Sequence, residues 1–202
     1  MRSLRLAHPR PSPGPIGPEL SSPEPVRQRF DPPQPSTRAV LTAPQLLSIL
    51  FLLGVANGSP IFARGLLKER FAIPIDGGRR LPDGQPVFGA SKTVCGVIVS
   101  LGSTTVLAPI LGFSWSVGAT IGLGAMAGDL FSSFVKRRLR LEPHAQAFGL
   151  DQVPEALVPL LLVRDRLGLG WLEIAALLTA FVALQLVLSR LLFMLGARDR
   201  PY

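Results

Sequence analysis

Three stretches of this chain carry no charged residue: Ala39 to Ala63, Thr93 to Gly128 and Ile174 to Ser189. A helix rises about 1.5 Å per residue, so roughly 20 apolar residues cross the hydrocarbon core of a bilayer. The first stretch is therefore long enough for one span, about Leu41 to Gly58, closed by the string NGSPIF. The second holds two, Thr93 to Leu111 and Trp115 to Val135, joined by the uncharged GFS at Gly112 to Ser114. The third becomes a last span when extended to Trp171 and Leu195, with Trp171 as an interfacial anchor. The apolar piece Ala156 to Val163 is too short to cross alone. It is read either as a span beginning in polar residues upstream, or as a re-entrant helix.

The expected architecture is thus an all-α, polytopic integral membrane protein of about five transmembrane helices over residues 39–202. A polar tail, residues 1–38, precedes it and contains ten of the twenty prolines. That tail lacks the apolar content to offset ordering entropy, is expected to be disordered, and shows no signal-peptide core. Within the third span Gly118, Gly122, Gly124 and Gly128 recur at spacings of four, which predicts close helix packing on one face. The single cysteine, Cys95, excludes an intrachain disulfide and reads as a packing residue.

The formal net charge is +8, and in a soluble protein such a charge points to nucleic acid. Here the cations cluster in loops between apolar spans, as the positive-inside bias predicts, so no nucleic-acid partner is expected. Five spans place the polar loops 64–92 and 136–151 on one side and the uncharged connection opposite. The expectation is a multi-pass protein of the cell membrane with both polar loops, and a polar site, at the cytoplasmic face.

Chemistry concentrates on that side. Asp129 follows 36 uncharged residues, where a carboxylate is costly unless donors or a cation meet it. A structural alternative is an ion pair with Lys136 or Arg137. Asp151 is the second acid of the same face, and two carboxylates facing a basic cluster supply hard oxygens for a magnesium ion and cations for a triphosphate. The string FGASKT at Phe88 to Thr93 is not a P-loop, because Ser91 stands where that motif has glycine before its lysine. Lys92 and Thr93 nevertheless put a cation and a hydroxyl at a helix N-terminus, which favours an anion.

Taken in order, NGSP, PIDGG, VFGASKT, GDLFSSFVKRR and GLDQ resemble the CDP-archaeol synthase family, membrane cytidylyltransferases related to the phosphatidate cytidylyltransferases, over roughly residues 45 to 165. The resemblance implies a helical membrane fold and CTP with Mg²⁺. It also implies transfer of CMP to a lipid phosphate, an archaeal-type ether lipid phosphate or phosphatidate, with release of pyrophosphate. It further implies catalytic roles for Asp129, Lys136 and Asp151. Substrate contacts would come from Asn57, Asp76, Ser91, Lys92, Thr93, Ser133, Arg137, Arg138 and Gln152. The metal would be held by Asp129 and Asp151, joined by Glu155, since the family's aspartate three residues after Asp151 is replaced here by Pro154 followed by Glu155. For Glu155 to serve, Pro154 must sit at the start of a helix and Glu155 in its first turn. Ala90, Val94 and Cys95 are further departures from the family's pattern. Partners are CTP, the lipid phosphate and membrane lipids, and a homodimer is compatible with them. The rival class is a non-catalytic relative that binds anionic lipid, or a small transporter using Asp129, although no internal repeat of the transporter kind is present.

Overall fold

A computed structural model describes residues 41–67, 73–141 and 149–194. These belong to one compact unit, Arg38–Tyr202. The proline-rich tail and residues 142–148 of the second polar loop lie outside the described residues. Five helices follow one another: α1 (Ala43–Leu67), α2 (Val94–Ile110), α3 (Trp115–Arg138), α4 (Gln152–Leu167) and α5 (Trp171–Met194). Among the described residues the only extended pairings are two isolated bridges, Pro74 with Thr93 and Arg80 with Pro86. The described residues form an all-helical fold, as the apolar runs predict.

Three of the helices, α1, α3 and α5, are long and apolar enough to cross a membrane, whereas α2 is a shorter apolar helix. In the central one, α3, 56% of the apolar window is buried, against 22% in α1 and 17% in α5. The outer pair leaves one face of large apolar side chains exposed, among them Leu47, Phe51 and Ile61 of α1 and Leu184, Val187 and Leu188 of α5, as lipid-facing helices do. The helices alternate in direction. Arg64 near the end of α1 donates to Ala90 O (3.4 Å), and Lys92 before α2 reaches Asp129 in the second half of α3. Arg166 near the end of α4 reaches Thr120 Oγ1, early in α3, at 3.2 Å. Helix α4 therefore runs antiparallel to α3, alongside it from the Lys136–Asp151 contact to the Thr120–Arg166 contact. The described parts of both polar loops consequently meet at one end of the bundle.

Helix α1 does not stop at the NGSP string; it continues through Pro60 to Leu67. Pro60 lacks the amide that would bond Ala56 O, and a helix normally breaks there. The orphaned carbonyl is satisfied from outside: Ser100 Oγ of α2 donates to Ala56 O at 2.8 Å. A second contact, Ser103 Oγ to Ser59 Oγ (3.1 Å), adjoins it.

The glycines of α3 occupy two faces rather than one. A methyl on Gly122 would lie 2.5 Å from Thr104 Oγ1 of α2, and one on Gly118 would strike the Thr104 carbonyl. Gly124 faces α4 instead, where a methyl would lie 2.7 Å from Pro159 Cα, and Gly128 abuts the backbone of Pro154 and Glu155. From Gly118 to Gly124 is six residues, about 600° of helical rotation, so two pairs spaced by four cannot share a face. The result is that α3 is wedged at backbone distance between α2 and α4.

Candidate functional site

Helix α2 starts where Thr93 Oγ1 accepts from Gly96 N (3.1 Å), an N-cap that fixes Lys92 just outside the first turn. Lys92 Nζ reaches both carboxylate oxygens of Asp129 at 2.5 Å. On the same face of α3, one and two turns on, stand Ser133 and Lys136. Lys136 Nζ donates to both oxygens of Asp151 at 3.0 Å. Asp129 thus pairs with Lys92, from the segment that leads into α2, and not with Lys136 or Arg137. Two lysine–aspartate pairs line one half-buried wall, with side-chain exposures of 14–22%.

The close approach at Gly128 brings a third carboxyl to this wall. Glu155 lies in the first turn of α4, as the substitution of proline at 154 predicts, although the helix itself begins at Gln152. Its carboxyl meets that of Asp129 across the α3–α4 seam, within Coulombic reach of Lys92. Gln185 of α5 donates from Nε2 to Glu155 Oε2 at 3.2 Å.

The roof of the site is the turn-rich segment 73–93. Asp76 organises it: Oδ1 accepts from Gly78 N (2.9 Å), and Oδ2 from Phe88 N (2.9 Å) and Gly89 N (3.0 Å). Gly77 and Gly78 both take positive φ, 57° and 75°, which allows the chain to curl around the carboxylate. Burial acts to raise the Asp76 pKa, but the amides of Phe88, Gly89 and Gly78 outweigh it and hold the group below its ordinary value. Arg138 closes the segment onto α3, donating to Asp83 Oδ2 (2.6 Å) and Pro86 O (2.6 Å) while lying over the Phe134 ring.

The sequence-predicted residues therefore separate into groups. Lys92, Asp129 and Glu155 come together, with Lys136, Asp151 and Ser133 beside them. Asp76 and Arg138 are engaged in building the roof. Thr93 caps α2, and Ser91 is exposed in the turn before it. Gln152 Oε1 accepts from Gly149 N (2.9 Å) at the start of α4, and buried Arg137 donates to Leu141 O (3.1 Å) just past the end of α3. Asn57 bonds Leu53 O within α1 (2.9 Å), one turn from Pro60, whose Cβ abuts Gly96 of α2. Two contributors were missed by sequence reasoning, Asp83 and Gln185. Gln185 carried a signal, being the one amide in the uncharged run Ile174 to Ser189.

Among the described residues no three His, Cys, Asp or Glu side chains form a single metal-holding group. Asp129 and Glu155 do present two hard-oxygen ligands from facing helices, and Mg²⁺ commonly takes one or two carboxylates, with phosphate oxygens and water completing its shell. The donor chemistry fits that ion at the Asp129–Glu155 pair, with Asp151 one pair removed.

The chain is similar to known proteins over most of its described length. The family model for CarS-like CDP-archaeol synthase matches residues 45–202. CDP-archaeol synthase of Sulfolobus acidocaldarius is 32% identical over 165 residues, 78% of this chain and 98% of the relative. That of Pyrococcus furiosus is 38% identical over 107 residues, 48% of this chain and 60% of the relative. A solved structure of an intramembrane enzyme for archaeal membrane lipids biosynthesis superposes with a TM-score of 0.61 at 28% identity, covering 70% of this chain and 90% of that one. With lysine–carboxylate pairs at one end of an apolar bundle and this extent of similarity, the chain belongs to the CDP-archaeol synthase family.

Proposed function

We propose that the protein is a CTP-dependent cytidylyltransferase that transfers CMP to an ether-lipid phosphate and releases pyrophosphate. The observation that carries this reading is the pairing of Lys92 with Asp129 and Lys136 with Asp151 at the polar end of the bundle. Each pair holds a cation and an acid that can exchange partners: the lysines turn to phosphate oxygens, and the carboxylates are released for a metal. Asp129 and Glu155 would hold Mg²⁺, which would supply charge neutralisation to the triphosphate and electrophilic activation at its α-phosphorus. A lipid phosphate oxygen attacks that phosphorus in line as the bond to pyrophosphate breaks. No proton need be removed from an already ionised phosphate, so the chain's task is positioning and charge stabilisation. Lys92 sits at a helix N-terminus whose free amides favour the same anion.

The membrane setting follows from the substrates. Lipid tails stay beside the apolar faces of α1 and α5 while the headgroup meets a soluble nucleotide at the charged end. The basic loops 73–93 and 136–141 favour the cytoplasmic side for that end, where CTP is made. The name of the relatives points to an archaeal-type ether lipid phosphate as acceptor, with phosphatidate as the competing one.

The test is incubation of the detergent-purified protein with radiolabelled CTP, Mg²⁺ and each lipid phosphate in turn. Labelled CDP-lipid and stoichiometric pyrophosphate are expected, with the ether lipid preferred. Tight binding of anionic lipid with no pyrophosphate released from any acceptor would instead identify a non-catalytic relative.

A further inference from the structure

Helix α5 buries one stripe against the bundle: Ile174, Leu177 and Phe181 are each less than 5% exposed. Gln185 is the next position along that stripe, at the site end. An amide in a lipid-facing helix is retained at a cost unless its polar atoms are met. Here the donor is met by Glu155 Oε2 at 3.2 Å, and Glu155 in turn faces Asp129. The amide adds no charge. It holds one oxygen of Glu155 and so orients the other, which is how an outer partner fixes a carboxylate ligand. Lys92 precedes α2 and Asp129 belongs to α3, so without Gln185 the last helix makes no polar contribution to this cluster among the contacts described.

We propose that Gln185 is a positioning residue that locks the Glu155 carboxyl beside Asp129 for a divalent cation, making α5 part of the reaction centre. The proposal rests on the reading of the Asp129–Glu155 pair as metal-bearing. It deepens the function proposed above without depending on which lipid is the acceptor.

The experiment compares wild type, Gln185→Met, Gln185→Asn, Glu155→Gln and the double variant Gln185→Met/Glu155→Gln in detergent. Two readouts are followed: Mg²⁺-dependent thermal stabilisation without nucleotide, and the Mg²⁺ and CTP dependence of turnover. Methionine matches glutamine in length but donates nothing, whereas asparagine keeps a shorter donor. Loss of an outer partner weakens metal binding by about 10- to 100-fold in known sites. Gln185→Met is therefore expected to raise the half-stabilising Mg²⁺ concentration about tenfold with the KM for CTP unchanged, and Gln185→Asn to fall between it and wild type. In the Glu155→Gln background the methionine substitution should add nothing.

A Gln185→Met titration that overlays wild type overturns the proposal. So does an effect of equal size in the Glu155→Gln background, or a wild type that Mg²⁺ does not stabilise. Should Gln185→Met fail to fold, the Gln185→Asn protein decides by the same titration. If wild type transfers no CMP yet shows the Mg²⁺ shift and Gln185→Met loses it, the functional proposal fails and the positioning role stands.

Discussion

Asp129 illustrates how an acid survives at the end of a long uncharged run. Its charge is met at 2.5 Å by Lys92, held just ahead of α2 by the cap at Thr93. Replacing Asp129 with asparagine keeps the shape and removes a metal-competent charge, so transfer should fall by at least two orders of magnitude. Retention of more than about a tenth of wild-type turnover at saturating Mg²⁺ would contradict that role. Asp76 behaves differently, because its carboxylate is held by backbone amides and its folded pKa lies below the unfolded one. A depressed carboxylate stabilises at pH above its unfolded value, near 3.8, and that contribution disappears as pH falls through the still lower folded value. Asp76→Asn should therefore increase cleavage in the segment 73–93 by limited proteolysis at pH 7. In an acid-stability series read by melting temperature, the difference from wild type should narrow below about pH 4.

At the level of elements, the α3–α4 seam governs whether Glu155 reaches Asp129. Gly128 lies against the Pro154 carbonyl with no room for a methyl, and the opposing atoms are backbone, which cannot swing aside. Gly128→Ala should push the helices apart, costing about 1–3 kcal/mol as overpacking does. The activity loss should exceed the loss in melting temperature. Gly102→Ala, where nothing lies within 4 Å, is the control and should leave both near wild type. The glycine spacing in the sequence pointed to close packing but not to two partners, because a spacing of four fixes a face only within each pair. The end of α1 was misjudged for a related reason. Pro60 is a helix breaker by local rules, and only the hydroxyl of Ser100, 40 residues on in another helix, satisfies the carbonyl it orphans.

Across the whole molecule, hydropathy placed α2, α3 and α5 within a few residues at both ends and the start of α1, since a bilayer demands length and leaves little choice of conformation. The fifth, α4, was legible only as an apolar fragment. Its N-terminal end carries Asp151, Gln152 and Glu155, which bond Lys136, Gly149 N and Gln185 respectively. Likewise Lys92, Asp129, Lys136 and Asp151 were legible as a charged face, but their pairing was not, because it depends on which helices adjoin. The bundle puts the described parts of both polar loops at one end. Cysteines introduced at Pro82 and Arg140 after Cys95→Ser should label from the same side of sealed vesicles, and one at Ser114 from the other. Labelling of the first two from opposite sides would refute the alternation of the helices.

The lengths of α2 and α4, 17 and 16 residues, correspond to about 25 Å each, short of a hydrocarbon core of about 30 Å. The long helices α1, α3 and α5 can match a full-thickness membrane, but the two that carry the N-terminal ends of the site cannot. This hydrophobic mismatch is relieved if the lipid surface dips locally at α2 and α4. Such a dimple would lower the headgroups of nearby lipids toward Lys92 and Asp151, so that an acceptor need not be lifted from its leaflet. Turnover in vesicles should then fall as acyl chains are lengthened, because deforming a thicker bilayer costs more for every ångström of mismatch.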